Sequence, residues 1–567
     1  MNGDCLPDLL VTTFHCEDVR SSSRSSSLDK VTCLKSLEIY TNNKDAMREK
    51  GESPFIFHSR HMAPPVTHSR KIWEHTRSIW GGDATLGTGQ FSFADVDGDG
   101  NIDVIFPICT SSSSSIRSLR GDCDIENSIR IIYNVQKTLC SDSLFTFGES
   151  NCRRESELCD GDPSMTLDQF DRWESAANSV IVPRNAFGNF HFLSQAGLPP
   201  VTLRFGDYNL DGFPDLLVPL VKGRDAVNAS VRSYPHSKAE DRYLIDRPNE
   251  ILSSFWTSGG SDALDQLGPG EVVVTLWRNV PCTVELCGSD ATRKRRRTFV
   301  HVIGNEVESL HAIRSGFAAA FFDLDESGRS DIIVLSDPSA VNPVTPSKPK
   351  RDRKGHRSPK PSESVSSKGD SVSRGGTASL FNNLHNDAFF LKTLGLNGLC
   401  AAWCPPPFPQ KFPDPKPYGV NFPGGFFKFI LTDLAGERRV AAGGQLSQSS
   451  HLSLQLPYLL FGLGRAGNYI ESIFYGISSA AARHFQSWIC IIPNSQLVAI
   501  PYPPTDPQSW QLDLYLAPSG IMVAVIASMV CSLVALGAVI YYLNWKETME
   551  DEREKREKAH LFSFDAL

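Results

Sequence analysis

The sequence has no basic excess: 56 Lys and Arg stand against 64 Asp and Glu, a formal net charge of −8. A dedicated nucleic-acid binder carries a basic footprint, so that class is set aside. Heptads and long amphipathic helical patterns are scarce, while 42 Gly and 36 Pro punctuate 567 residues. That balance predicts short strands joined by turns, in two or three folded domains. There is no HExxH and no GxSxG nucleophile elbow. Gly462-Leu463-Gly464-Arg465-Ala466-Gly467 spells GxGxxG, but it lies among β-type segments without a strand-to-helix context, so it reads as a structural turn. Residues 1–20 also lack the apolar core of a secretory signal.

One apolar run is present. Residues 521–543 contain no charge. At about 1.5 Å per residue such a helix spans roughly 35 Å, enough for a hydrocarbon core of about 30 Å. Tyr541, Tyr542 and Trp545 stand where an interfacial aromatic belt belongs. Lys546, Arg553, Lys555, Arg556 and Lys558 follow the span, whereas 501–520 hold no Lys or Arg. The positive-inside rule therefore predicts a single-pass type I protein, with the tail 544–567 cytosolic and the rest lumenal or extracellular. Asn228 heads a glycosylation sequon in that region. The 14 cysteines then become disulfide candidates, with Cys282–Cys287 and Cys400–Cys404 as close pairs in loop-like sequence. Neither pair is a CxxC at zinc-ribbon spacing.

Three segments share one frame. They are Asp95-Val96-Asp97-Gly98-Asp99-Gly100-Asn101-Ile102-Asp103, Asp207-Tyr208-Asn209-Leu210-Asp211-Gly212-Phe213-Pro214-Asp215 and Asp323-Leu324-Asp325-Glu326-Ser327-Gly328-Arg329-Ser330-Asp331. Each follows an apolar stretch and runs into another, so the unit is strand, tight acidic loop, strand. Oxygens at positions 1, 3 and 5 converge on one side of a turn. The backbone carbonyl of position 7 (Asn101, Phe213, Arg329) and the carboxylate of position 9 complete an oxygen cage of the kind calcium takes. Gly100, Gly212 and Gly328 permit the sharp turn. An EF-hand requires Glu at position 12 followed by a helix; here that position is Phe106, Val218 or Val334 in a β-type run. The first loop offers four side-chain carboxylates, the second three with the Asn209 amide, and the third three with the Ser327 hydroxyl, which predicts affinity falling in that order. Calcium is expected to be structural.

Asn2-Gly3-Asp4-Cys5-Leu6-Pro7-Asp8, followed by an apolar run, matches positions 3 to 9 of the same frame. The sequence is thus expected to begin inside a repeat, with a truncated gene model as the accompanying hypothesis. The long spacing between loops is filled partly by insertions at 111–120 and 344–377. The run Arg293-Lys294-Arg295-Arg296-Arg297 reads as a solvated charge run.

Strand–loop–strand repeats must stack to bury their faces. The frame resembles the calcium-binding FG-GAP repeats of integrin-α-type β-propellers, and that resemblance implies four-stranded blades with calcium in inter-strand loops. From about 399 a Pro-rich stretch, 405–417, leads into short strands with turns, which predicts a β-sandwich. GVNFPG, GGQLSQSSHLSLQLPY, FGLGR, IIPNSQL with IPYP, and the tail HLFSFDAL complete a resemblance to the T-cell immunomodulatory protein family. The fold expected is all-β: propeller repeats, incomplete at the N-terminus, then a C2-like sandwich and one transmembrane helix. The expected divisions are a partial repeat and irregular segment at 1–84, blades at 85–398, the sandwich at 399–516, the span at 521–543 and the tail. The family implies a non-enzymatic glycoprotein of the plasma or secretory-pathway membrane that uses its propeller to bind a protein ligand. A lumenal factor that binds clients during trafficking is the alternative, and an accessory to glycan- or lipid-processing chemistry is a remote third.

Overall fold

The structure, a computed structural model, describes residues 1–18, 30–42, 55–63, 66–69, 89–110, 126–140, 152–168, 178–192, 202–223, 264, 267, 270–287, 296–336, 376–384, 387–399, 418–434, 436–446, 456–479, 483–516 and 520–562. Asn228, Cys400, Cys404, residues 111–120, residues 293–295 and the Pro-rich stretch lie outside them.

Four antiparallel sheets follow one another along the chain. The first holds β1 (Leu9–Asp18), β2 (Lys30–Asn42), β3 (Phe55–Met62) and β4 (Val66–Ser69). The second holds β5 (Ser92–Ala94), β6 (Asp103–Thr110), β7 (Glu126–Ile132) and β8 (Ser179–Val182). The third holds β9 (Phe190–Phe192), β10 (Arg204–Gly206), β11 (Asp215–Lys222), β12 (Val272–Pro281) and β13 (Arg297–His301). The fourth holds β14 (Gly316–Phe322), β15 (Asp331–Ser336) and β16 (Gly376–Leu380). Each acidic loop joins an edge strand to the strand paired with it: β5 to β6, β10 to β11, β14 to β15. Position 12 of each loop falls inside a strand, as the apolar runs required.

Those runs are continuous because both faces of the buried strands are covered. On β6, Val104, Phe106 and Ile108 pack with Leu37 and Ile39 of the first sheet, while Ile105 joins the core shared with the third. On β11, Leu216, Val218 and Leu220 face the second sheet and Leu217 faces the fourth. The period of two along a strand sends alternate side chains to opposite neighbours. Stacking of this kind, sheet upon sheet in chain order, is propeller-like.

The sandwich pairs one sheet of β20 (Leu459–Gly464), β17 (Phe389–Gly395), β23 (Ser495–Ile500) and β24 (Gln511–Leu516) with another of β19 (Arg438–Gly444), β18 (Phe426–Asp433), β21 (Ala466–Gly476) and β22 (Phe485–Ile491). Its interior is filled by Leu391, Phe427, Phe429, Leu463, Ile473, Tyr475 and Trp510 among others. The sandwich starts earlier than the composition change at 399: β17 pairs antiparallel with β20 and parallel with β23. The reason is that β17 reads as one more apolar strand after the fourth sheet, and only its partners assign it to the sandwich.

Residues Met1–Tyr515 form one compact unit and Leu516–Leu567 another. The second contains the helix Gly520–Phe562, the one helix among the described residues long and apolar enough to cross a membrane. Its polar end carries i,i+4 pairs, Lys546–Glu550, Glu552–Arg556 and Glu554–Lys558.

Candidate calcium loops and the asparagine latches

The loops repeat in backbone as well as in sequence. Positions 4 and 6 are left-handed each time: Gly98 and Gly100, Leu210 and Gly212, Glu326 and Gly328, with φ between +58° and +90°. The N-terminal segment does the same at Gly3 (φ +80°) and Cys5 (φ +59°), which makes residues 2–8 a fourth copy of the turn.

Position 1 organises the turn. Asp95 accepts the backbone N–H groups of Asp99 (3.1 Å) and Gly100 (2.9 Å), and Asp207 those of Asp211 (3.1 Å) and Gly212 (2.7 Å). Asp323 accepts from Gly328 at 3.3 Å. Position 9, read from sequence as a metal ligand, also has a structural task. Asp103 Oδ2 accepts from Val96 N at 3.0 Å, Asp215 Oδ2 from Tyr208 N at 3.1 Å and Asp331 Oδ2 from Leu324 N at 2.9 Å. The turn is therefore closed by carboxylates at both ends.

The other oxygen of position 9 meets a residue that sequence reading missed. Asp8, Asp103, Asp215 and Asp331 accept from the backbone N–H of Asn42, Asn134, Asn279 and Asn382, at 2.9, 2.9, 2.9 and 2.7 Å. Each asparagine Nδ2 then donates to the position 8 carbonyl: Pro7, Ile102, Pro214 and Ser330, at 3.1 to 3.2 Å. Three of them also reach the position 2 carbonyl of the preceding copy: Asn134 to Met1 (2.8 Å), Asn279 to Val96 (2.9 Å) and Asn382 to Tyr208 (2.8 Å). These latches tie blade to blade. Their signal is an Asn one or two residues after an aromatic that ends an apolar run, as in Tyr133-Asn134 and Trp277-Arg278-Asn279. Separations of 34, 31, 64 and 51 residues from position 9 concealed the recurrence.

The carboxylates crowd. Asp95, Asp97 and Asp99 bring one oxygen each within 4.8 Å of one another, and so do Asp323, Asp325 and Asp331. Burial, then neighbouring aspartates, push Asp95, Asp103 and Asp207 well above the usual carboxylate range. Burial raises Asp99 and Asp211 against their hydrogen bonds, and burial with Asp211 nearby lifts Asp215 to about 7. Asn209 Nδ2 donates to Asp211 Oδ2 at 3.1 Å, which fixes its amide oxygen within the second loop. Ser327 holds Asp325 low through its hydroxyl and backbone N–H. Buried, oxygen-only donors need a countercharge, and a hard divalent cation would supply it. The first loop fits calcium through its clustered carboxylates, and the second through buried Asp207, Asp211 and Asp215 with the Asn209 amide oxygen.

The reading of 293–297 as a solvated run is corrected at its end. Arg296 lies 3.7 Å from Asp97 and over the Tyr133 ring at 4.1 Å. Arg297 donates to Asn279 through Nε (2.8 Å) and Nη2 (3.1 Å) and stacks on Phe213 at 3.4 Å. Acidic loops within reach recruit the basic residues that open β13. Cys282 and Cys287 are disulfide-bonded, as are Cys5–Cys159 and Cys140–Cys152.

The GxGxxG segment runs from β20 into β21, strand to strand. Its Gly462 has a packing reason: an added Cβ would lie 2.0 Å from Asp207 Oδ2 and 2.5 Å from Leu210 Cα. Gly462→Ala is expected to push the sandwich off the second loop at a cost of about 1–3 kcal/mol. Faster hydrogen exchange at Gly212 and Gly464 would register it, and unchanged exchange would refute the packing reason.

Comparison with known proteins bears on this arrangement. A family model described as "ITFG1, C2 domain" matches residues 417–515, which covers the sandwich from β18 to β24. The T-cell immunomodulatory protein of Macaca fascicularis is 34% identical over 371 residues, 65% of this chain and 91% of the relative. The chain belongs to the T-cell immunomodulatory protein family. The Rattus norvegicus member is 30% identical over 482 residues, 84% of this chain and 58% of its own length. A T-cell immunomodulatory protein homolog of Plasmodium falciparum (isolate 3D7) is 26% identical over 98% of this chain and 59% of that relative. The chain thus spans under two thirds of the length of these last two members. A crystal structure of wild-type pneumolysin aligns with 90% of this chain and 94% of its own at 7% identity and a TM-score of 0.13, too low to bear on the fold.

Proposed function

We propose that this family member is a membrane-anchored, non-enzymatic binding module whose blades are stiffened by structural calcium. The observation that carries the reading is the turn frame repeated in four stacked sheets, followed by a sandwich and one membrane-type helix. Such a scaffold presents broad rigid surface, which suits a protein ligand. The relatives' name, with its reference to T cells, favours a ligand at a cell surface. In this reading Asp95, Asp97, Asp99, Asn101 and Asp103 hold one ion and Asp207, Asn209, Asp211, Phe213 and Asp215 a second. The sandwich and blades are lumenal or extracellular, as the basic residues after the span imply.

Surface biotinylation of the C-terminally tagged protein tests the location. Labelling of intact cells supports a receptor or adhesion role, and labelling only after permeabilisation overturns it in favour of a lumenal client-binding role. Chelation tests the metal. With about 1 mM calcium and a Kd of about 0.1 mM, each ion adds about 1.4 kcal/mol to the folded state. EDTA is expected to lower the unfolding midpoint, and Asp95→Ala to shrink that response by one ion's share. An EDTA-insensitive midpoint would sink the calcium reading.

A further inference from the structure

The third loop departs from the other two in what the sandwich brings to it. Along β17, Leu391 points into the sandwich core, while Phe390 and Lys392 face the loop. A Cβ added to Gly328 would lie 2.2 Å from Phe390 Cε1, so the phenyl ring lies directly on the turn. Two residues on, and therefore on the same face of the strand, Lys392 reaches the acidic cluster. Its Nζ lies 2.8 Å from Asp323 Oδ2, in a pair whose side chains are 11% and 0% exposed. The ammonium also lies 4.3 Å from the centre of the Tyr458 ring, whose hydroxyl accepts the Asp323 N–H at 2.8 Å. The cations the sandwich sends to the other loops behave differently. Lys428 gives its ammonium to the Leu158 carbonyl at 3.3 Å, and Arg439 lies over the Phe213 ring at 4.3 Å.

We propose that Lys392 is the resident cation of the third loop, which takes no calcium and instead forms a metal-independent clasp between the fourth blade and the sandwich. The position 1 carboxylate organises the turn and accepts the lysine ammonium as well as the Gly328 N–H. The ammonium is bound to one carboxylate of the Asp323, Asp325 and Asp331 cluster, so a divalent ion held by all three would sit near a buried like charge. The clasp is one contact of a larger interface. Ala442 N donates to Asp95 Oδ2 at 3.2 Å, Gly464 N to the Leu210 carbonyl at 2.8 Å, and His484 Nε2 lies 2.6 Å from the Asp4 carbonyl. All four copies of the turn therefore meet the sandwich, and the loop face is an intramolecular seat. This deepens the calcium reading and rests on it only for the first and second loops.

The test is calcium bound per chain, counted by equilibrium dialysis of the full chain in detergent micelles. Asp325→Asn should leave wild-type binding unchanged, because the third loop holds no ion. Lys392→Met should gain one calcium equivalent, and adding Asp325→Asn should remove that gain. Lys392→Gln is the second variant should the methionine form fail to fold. Loss of one equivalent on Asp325→Asn in the wild-type background would overturn the proposal, as would a folded Lys392 variant that gains none. Wild-type protein that binds no calcium at all would defeat the reading of the first two loops, yet the gain in Lys392→Met would still stand as the test of the third.

Discussion

Asn279→Ala is expected to destabilise the full chain by about 3–5 kcal/mol, among the largest effects of any single substitution away from the central apolar core. The side chain donates to the carbonyls of Val96 and Pro214 and accepts from Arg297 Nε. Alanine leaves the buried Val96 carbonyl and the half-buried Pro214 carbonyl without their amide donor and removes one acceptor from a guanidinium packed on Phe213. Asn279 is 1% exposed, so bulk solvent does not take over these bonds. Asn279→Asp separates the two parts of the effect: it keeps an acceptor for Arg297 and loses both donors, so it should be nearly as damaging. Denaturant midpoints in detergent micelles report the result, together with hydrogen exchange of β6 and β12. A loss under about 0.5 kcal/mol would show that the latch merely accompanies blade stacking.

Acid is expected to weaken the third blade through two histidines. His301 stacks on Trp277 with ring centroids 5.0 Å apart, and His311 lies 6.0 Å away. Burial, then the neighbouring His311, pulls His301 down to about 3, and burial pulls His311 down to about 4. In the unfolded chain both titrate near about 6.5. Between those values the unfolded state binds more protons, so stability is complete above about pH 6.5 and falls as pH drops towards the folded values. At pH 5 each histidine costs about 2 kcal/mol relative to pH 7.5. The double variant His301→Phe, His311→Leu keeps apolar bulk in place and should flatten the difference between midpoints at pH 7.5 and pH 5. An undiminished difference in the folded double variant would clear these histidines of the effect.

Much of this protein is legible in consecutive residues. The acidic frame, its flanking apolar runs and the uncharged 23-residue stretch 521–543 each depend on spacing within one short segment. Local spacing fixes local geometry: a period of two makes a strand, alternating oxygens make a turn, and an unbroken apolar run makes a membrane-type helix. Even the copy at residues 2–8, with cysteine where the others have glycine, shows the same left-handed positions. What the sequence could not give is pairing between distant segments. Cys5 meets Cys159 across 154 residues, Asn279 reaches back 183 residues to Val96, and Lys392 reaches Asp323 across 69. Each partner looks ordinary in its own segment: a lysine in a strand, an asparagine after an aromatic, a glycine in a turn. Their roles arise only when stacked blades and the sandwich bring buried donors, acceptors and charges face to face. There, away from water, each polar group must find a partner wherever the fold provides one.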